Sequence, residues 1–355
     1  MEEFQLMKGN EAVAEAAIRA GTDGYFGYPI TPQSEVMEYL MAVKPYELTG
    51  MVVLQAESEV AAINMLYGGA ACGKKVMTTS SSPGISLMQE GISYIAGSEL
   101  PCLVVNVVRG GPGLGTIQPS QSDYFQATKG GGHGDYRLIT LAPSSVQEMA
   151  DFVTIAFDLA FKYRNPVMIL SDGAIGQMME KVKFREQKPR ATEFPEWATT
   201  GKTPDRERNI ITSLDLDPAR HERHNIKLQA KYKKVEENEV LYEKISCDDA
   251  EYLFVAYGTS SRICQKSMQL ARAEGIKVGL FRPITLWPYP KKELGAMSDQ
   301  IKGILSVEMS SGQMVEDVLL SVKEHVKVDH YGRMGGIIPT PEEIVEALKN
   351  KIIGG

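Results

Sequence analysis

Short apolar runs alternate along this chain with stretches whose apolar residues recur every third or fourth position. Gly9 to Gly21 sets Ala12, Val13, Ala16, Ala17 and Ala20 at helical spacing. Gly24 to Gly27 and Met51 to Leu54 read as strands. Ser58 to Cys72 is Ala-rich and helical, with Val60, Ile63 and Tyr67 on one face. Lys75 to Thr79 is a strand that runs through Ser80-Ser81-Ser82-Pro83-Gly84 into a helix containing Leu87 and Ile95. Leu103 to Val108 is almost continuously apolar, as a parallel strand covered on both faces requires. Val146 to Tyr163 is an amphipathic helix, and Pro166 to Ser171 the next buried strand. This β-α-β-α order predicts an α/β fold built on a doubly wound parallel sheet.

The pattern changes after residue 180. Residues 181–247 are rich in Lys, Arg, Glu and Pro. They read as an extended polar connector with one polar helix from Arg220 to Asn238. Alternation resumes with a strand at Tyr252, a helix from Ile263 to Glu274, strands at Lys277 to Phe281 and Gly303 to Val307, and a helix from Gln313 to Glu324. The expected organisation is therefore a first domain over 1–180, the connector over 181–247, and a smaller α/β domain over 248–355.

Composition narrows the function classes. The chain has 355 residues, 43% hydrophobic and 23% charged, with a formal net charge of −7. No Lys/Arg stripe is interleaved with aromatics, so no nucleic-acid partner is expected. No apolar run is long enough for a membrane span, and Met1-Glu2-Glu3-Phe4 lacks the basic start of a signal peptide, so the expected location is cytoplasmic. Cys72, Cys102, Cys247 and Cys264 form no C-x-x-C pair, against a disulfide framework, a zinc site or a cluster held by this chain alone. His221 and His224 lie in a charge-dense segment without companion ligands and read as a solvated pair. No metal site is expected.

Three candidate chemical groups follow strand ends. Tyr28-Pro29-Ile30-Thr31-Pro32 is a tight turn opening into a helix, with Thr31 where an N-cap belongs. In Gln55-Ala56-Glu57-Ser58-Glu59, Ser58 is a candidate cap and Glu59 lies in the first helical turn, where a carboxylate suits the helix dipole. Arg109 follows an apolar strand and precedes Gly110-Gly111-Pro112-Gly113-Leu114-Gly115, a setting for a carboxylate or phosphate. The glycine run fits neither G-x-G-x-x-G nor a P-loop. Each residue alone reads as structural: a cap, a dipole partner, a salt-bridged arginine. Together they put a hydroxyl, a carboxylate and a guanidinium at one sheet edge. Gly130 to Gly134 is a candidate covering loop, with His133 as a polar loop residue. No G-x-S-x-G supports an α/β-hydrolase.

These motifs carry a family resemblance. Tyr28-Pro29-Ile30-Thr31-Pro32, Glu57-Ser58-Glu59, Thr79-Ser80-Ser81-Ser82-Pro83-Gly84 and Arg109 with its Gly-rich sequel resemble the α subunit of multi-subunit 2-oxoacid:ferredoxin oxidoreductases. Ala256-Tyr257-Gly258-Thr259, Phe281-Arg282-Pro283-Ile284-Thr285-Leu286-Trp287-Pro288, and Val307-Glu308-Met309 with Gly312-Gln313-Met314 resemble the transketolase C-terminal-like domain of the same enzymes. The resemblance implies a thiamine-diphosphate-binding fold of the pyrimidine type for the first domain. It implies that Glu59 bonds N1′ of the aminopyrimidine, that Pro29 and Ile30 line the cofactor, and that Thr31 and Arg109 hold the substrate carboxylate.

There is no Gly-Asp-Gly segment followed by Asn and no cluster-type Cys spacing. The resemblance assigns Mg2+, the diphosphate half of the cofactor site and a 4Fe-4S cluster to a β subunit, and further clusters to a small ferredoxin-like subunit. A γ subunit is a further candidate partner, ferredoxin the acceptor and coenzyme A the co-substrate. The chain alone is expected to be inactive. Gly115 to Gln126 looks most like the 2-oxoisovalerate type. That implies oxidative decarboxylation of branched-chain 2-oxoacids to acyl-CoA and CO2. The alternatives are the 2-oxoglutarate type, with Lys129, His133 or Arg137 as a second cation, and a non-catalytic assembly subunit.

Overall fold

The computed structural model describes residues 4–354. Its strands are β1 (Gln5–Lys8), β2 (Gly24–Gly27), β3 (Val52–Gln55), β4 (Val76–Ser80), β5 (Cys102–Val108), β6 (Ile139–Leu141), β7 (Pro166–Asp172), β8 (Met179–Val182), β9 (Tyr242–Ile245), β10 (Tyr252–Val255), β11 (Val278–Pro283), β12 (Thr285–Trp287), β13 (Gly303–Glu308) and β14 (Lys327–Gly332).

The first sheet has seven strands in the order β12-β6-β7-β5-β4-β2-β3. All pairs are parallel except β12 with β6. Strands β5 and β7 are buried at every position, which is why they read as unbroken apolar runs. The helices Gly9–Arg19 and Val146–Tyr163 cover one face, and Glu59–Ala71 and Ser82–Gly97 pack together on the other. The chain leaves β2 toward β3 on one side and continues with β4 on the other. The strand order therefore reverses between β2 and β4, and a crevice opens there beyond the strands' C-terminal ends.

The second sheet runs β14-β13-β10-β11-β9, with only β9 antiparallel. The helices Gly258–Ala273 and Pro341–Ala347 pack on it through Phe254, Leu280, Leu305, Ile344 and Leu348. Buried side chains run continuously from the first sheet to Leu253, Tyr257, Phe281, Trp287 and Met314. Burying each such side chain stabilises the chain by roughly 1.5–3 kcal/mol.

Polar pins reinforce this junction. Asp172, at the end of β7, accepts from the Thr259 hydroxyl at 2.8 Å and caps the helix Gly173–Gln177 through Ala174 and Ile175. Gln121 donates to the Tyr257 carbonyl at 2.8 Å and accepts from the Ser260 hydroxyl at 2.6 Å and the Met309 amide at 2.9 Å. Burial holds the Asp172 carboxyl above its ordinary range, partly offset by the Thr259 hydroxyl and the amides of Ile175, Thr259 and Ala174.

The structure departs from the sequence pattern at several places. Tyr242–Ile245, in the polar connector, forms the antiparallel edge of the second sheet. Thr285–Trp287, in the C-terminal segment, crosses over to complete the first sheet. The helix Pro218–Asn238 is a strap: only Leu228, Tyr232 and Val235 are buried, one stripe on an otherwise polar surface. Tyr232 meets Trp287 edge-on at 5.8 Å. His224 is half-buried and bonded to the Gly97 carbonyl at 2.7 Å, so only His221 of that pair is fully exposed. Among the described residues no helix is long and apolar enough to cross a membrane.

Candidate active site

Four chain segments leave the same edge of the first sheet: Tyr28 to Gln33 after β2, Ala56 to Glu59 after β3, Ser81 to Gly84 after β4, and Arg109 to Gln118 after β5. The turn after β2 is held from below. Asn10 and Gln177 donate to the Pro32 carbonyl at 2.7 and 3.1 Å. Buried Gln33 donates to the Tyr28 carbonyl at 3.1 Å and accepts from the Thr79 hydroxyl. Tyr25 bonds Thr79 in turn, and burial pushes its phenol up to about 12. Thr31 is not a cap: the helix begins at Ser34, with Gln33 at the capping position and no side-chain bond. Thr31 is exposed, Pro29 is exposed and Ile30 is half-buried.

Ser58 caps the helix Glu59–Ala71 by accepting from the Ala61 amide at 3.2 Å. Glu59 therefore starts the first turn, and the residue is 6% exposed. Among the described residues no hydrogen bond or ion pair reaches that carboxylate. A carboxylate that no protein donor reaches keeps its acceptor capacity for a ligand N–H. Gly84 lets the next helix close on it: a Cβ there would lie 2.7 Å from Glu59 Oε1 and 2.2 Å from Ser80 Oγ. The hydroxyls of Ser80 and Ser81 are buried and unpaired as well.

Arg109 is fixed by its backbone and its side chain. Its amide donates to Ser82 Oγ at 3.1 Å, and that hydroxyl donates to its carbonyl at 3.2 Å. Its Nη1 donates to the Thr31 carbonyl at 3.0 Å and its Nη2 to the Leu114 carbonyl at 3.1 Å, while Nε is buried and unpaired. A guanidinium has five N–H groups, so donors remain for an anion.

The first turn of the helix Ser82–Gly97 thus joins the two halves of the site, with Gly84 against Glu59 and Ser82 against Arg109. Asn106 and Asp123 lie close behind, Nδ2 to Oδ2 2.9 Å. Burial raises the Asp123 carboxyl, eased by Asn106 and Ser82. Sequence reasoning assigned no role to Ser80, Ser81 and Ser82 and missed Asn106. The available signal for Asn106 was one polar residue inside an apolar strand.

The structure does not bring the glycine loop to this site. Gly131 and Gly132 pack against Gln89 and Ser93, two turns along the helix from Ser82, and the Gly132 amide donates to the Tyr136 hydroxyl. His133 sits edge-on to Tyr94 at 6.0 Å. Lys129 pairs with Asp317 at 2.6 Å, and Arg137 donates to the Thr128 carbonyl at 3.4 Å. Three cavities of about 450 to 560 Å3 follow the helix Pro218–Asn238, and none of the three includes Glu59, Thr31 or Arg109.

Residues 15–244 match the family described as pyruvate flavodoxin/ferredoxin oxidoreductase, thiamine diphosphate-binding, and residues 250–344 match pyruvate:ferredoxin oxidoreductase core domain II. The chain belongs to the 2-oxoacid:ferredoxin oxidoreductase family. Within that family it is 50% identical, over 97% of both chains, to the ketoisovalerate oxidoreductase subunit VorB of Methanothermobacter thermautotrophicus. It is 36% identical, over the full length of both, to the 2-oxoglutarate synthase subunit KorA of Methanothermobacter marburgensis. A solved 2-oxoglutarate:ferredoxin oxidoreductase from Magnetococcus marinus, with 2-oxoglutarate, coenzyme A and succinyl-CoA bound, superposes with a TM-score of 0.87 at 31% identity. It covers 99% of this chain and 66% of that one. The fold is therefore the thiamine-diphosphate-binding α/β fold of the 2-oxoacid:ferredoxin oxidoreductases, and the chain is an enzyme subunit of that family.

The site's donor set fits one end of this cofactor. A Glu59 carboxylate that no protein donor reaches suits an N–H-bearing heterocycle, and the unpaired hydroxyls of Ser80 and Ser81 lie at the neighbouring strand end. Among the described residues no group of three or more His, Cys, Asp and Glu could hold a metal.

Proposed function

We propose that this chain is the α-type subunit of an enzyme converting branched-chain 2-oxoacids, 2-oxoisovalerate foremost, to acyl-CoA and CO2. The 2-oxoacid and the coenzyme A thiol yield the thioester, CO2, one proton and two electrons, and the electrons pass singly to ferredoxin. The relative at 50% identity is named for ketoisovalerate, whereas those named for 2-oxoglutarate are 34–37% identical at comparable coverage.

The observation that carries the reading is the surroundings of Arg109. Its remaining N–H groups suit one carboxylate, and the loop that follows it, from Gly110 to Gln118, holds no charged residue. The cations of the alternative reading are engaged elsewhere: Lys129 with Asp317, Arg137 with the Thr128 carbonyl, and His133 against the Tyr94 ring. A second carboxylate at this site would find no partner on this chain.

Thiamine diphosphate, when bound, supplies the carbon nucleophile and the electron sink for decarboxylation. Glu59 would hold its pyrimidine through the carboxylate, Pro29 and Ile30 would line it, and the Ser81 hydroxyl would offer a further hydrogen bond. Arg109, held by Thr31 and Leu114, orients the substrate carboxylate, with the Thr31 hydroxyl at its side.

The Mg2+ and diphosphate ligands and the 4Fe-4S clusters belong to β and small ferredoxin-like subunits in this reading, a γ subunit is a further candidate partner, and the location is cytoplasmic. The four cysteines are free; Cys102 and Cys264 are buried, which pushes both thiols up and suits packing rather than cluster ligation. The assembly-subunit alternative leaves the unpartnered Glu59 carboxylate without a reason.

The test is anaerobic viologen reduction by this chain assembled with its partner subunits, with thiamine diphosphate, Mg2+ and coenzyme A. Preference for 2-oxoisovalerate over 2-oxoglutarate and pyruvate supports the reading. Preference for 2-oxoglutarate overturns the substrate, and no turnover by a cluster-loaded complex overturns the catalytic role.

A further inference from the structure

The loop after Arg109 is shaped around one residue. Its ends are closed: the Gly110 amide donates to the Gln118 carbonyl at 3.0 Å, the Thr116 amide to the Gly110 carbonyl at 2.8 Å, and Arg109 bridges to Pro119. The glycines on either side of Leu114 both have left-handed backbones, with φ of 70° at Gly113 and 56° at Gly115. A Cβ at Gly115 would lie 1.8 Å from the Gly110 carbonyl oxygen. Nothing but glycine fits there, and its conformation turns Leu114 back toward the start of the loop.

The result is a leucine whose carbonyl sits on the site's arginine while its side chain stays 84% exposed. Leu114 packs into no core, so burial does not explain its position. Ile117, two residues on, is 57% exposed. From Gly110 to Gln118 the loop carries no charge.

We propose that Leu114, seconded by Ile117, determines substrate specificity by forming the apolar wall against which the alkyl group of the 2-oxoacid lies. The inference rests on the function proposed above and adds to it the residue that selects the side chain. The Leu114 carbonyl steadies the guanidinium that takes the carboxylate. One residue therefore sets both the position of the anchor and the polarity of the pocket beyond it. An apolar wall favours an isopropyl group by the area it covers and leaves a distal carboxylate desolvated and unpaired. In hydrophobic pockets, differences of this size discriminate by about 10- to 200-fold.

The experiment uses the full complex and compares wild type with Leu114→Ala, Leu114→Arg and Ile117→Ala. kcat/KM is measured for 2-oxoisovalerate, pyruvate and 2-oxoglutarate, together with the melting-temperature shift each oxoacid gives without coenzyme A. Leu114 is exposed, so the variants fold, and an unchanged melting temperature without oxoacid verifies this. Leu114→Ala is expected to lower kcat/KM for 2-oxoisovalerate about tenfold, mostly through KM, and that for pyruvate much less. Leu114→Arg is expected to move the 2-oxoglutarate to 2-oxoisovalerate ratio upward by about 100-fold. Ile117→Ala is expected to fall between wild type and Leu114→Ala. If wild type prefers 2-oxoisovalerate and the variants keep its ratios within about twofold, the inference fails and the proposed function stands. If wild type prefers 2-oxoglutarate, both fail.

Discussion

The Arg109 guanidinium reaches back to the carbonyl oxygen of Thr31, Nη1 to O 3.0 Å, across 78 residues of sequence. The turn after β2 and the loop after β5 are therefore one unit at the sheet edge. Arg109→Met removes both the anion receptor and the tie. It is expected to lower kcat/KM of the assembled complex for its oxoacid by about 10²–10³-fold. Thr31→Val keeps the carbonyl and loses only the hydroxyl, so a loss nearer tenfold is expected. Steady-state kinetics of the two variants side by side check the ranking. Equal losses would place the effect in the turn rather than in the guanidinium.

Glu59 is expected to matter for turnover and not for folding. No protein donor reaches its carboxylate, so Glu59→Gln is expected to change the stability of the isolated chain by less than about 1 kcal/mol while abolishing turnover of the complex. Urea unfolding and the viologen assay read the two effects. A destabilised Glu59→Gln chain would mean that the carboxylate has a structural partner after all.

Gly84→Ala tests the close approach of the next helix to that carboxylate. A Cβ there would crowd Ser80 Oγ at 2.2 Å and Glu59 Oε1 at 2.7 Å. The expected cost is about 1–3 kcal/mol in folding, with weakened thiamine diphosphate binding by the complex in titration calorimetry. Unchanged cofactor affinity would remove Gly84 from the site.

Asp172 ties the end of β7 to the second domain. Asp172→Ala strips a helix cap and leaves the Thr259 hydroxyl and several amides unpaired, so a loss of about 2–4 kcal/mol is expected. The urea midpoint measures it, with Asp249→Ala at an exposed surface as the control.

Lys231 gives the chain an alkaline signature. Burial lowers its ammonium to about 8, with Glu99 opposing and Lys227 and Arg164 adding to the fall. Between about 8 and the ordinary value of 10.5 the folded chain holds fewer protons at this site than the unfolded chain. Unfolding then takes up a proton, and stability from this group rises with pH through that window. The urea midpoint of wild type relative to Lys231→Met is expected to climb from pH 7.5 to pH 10. A flat difference would mean that the ammonium is solvated.

Local chemistry was legible where one segment settled the outcome alone. Ser58 as a cap and Glu59 in the first turn follow from a serine at a strand end before an Ala-rich run. The buried parallel strands follow from their unbroken apolar runs. Thr31 reads as a cap by residue type, yet Gln33 takes that place, because long-range amides from Asn10 and Gln177 hold the turn in another shape. β14, with Lys327, Asp329 and His330, and three-residue β6 are too polar or too short to stand out. The contact of Arg109 with Thr31, the orphan hydroxyls and the strap against Trp287 depend on segments far apart in sequence, and no local pattern encodes them.

β12 also sets a schedule for synthesis. The edge of the first sheet at β6 stays open until Thr285–Trp287 arrives, about 145 residues later in the chain. At ribosomal rates of roughly 5–20 residues per second, that leaves one strand edge open for about 7 to 30 seconds on every nascent chain. An open edge is a template for pairing with another chain, so truncations that end before Thr285 are expected to aggregate.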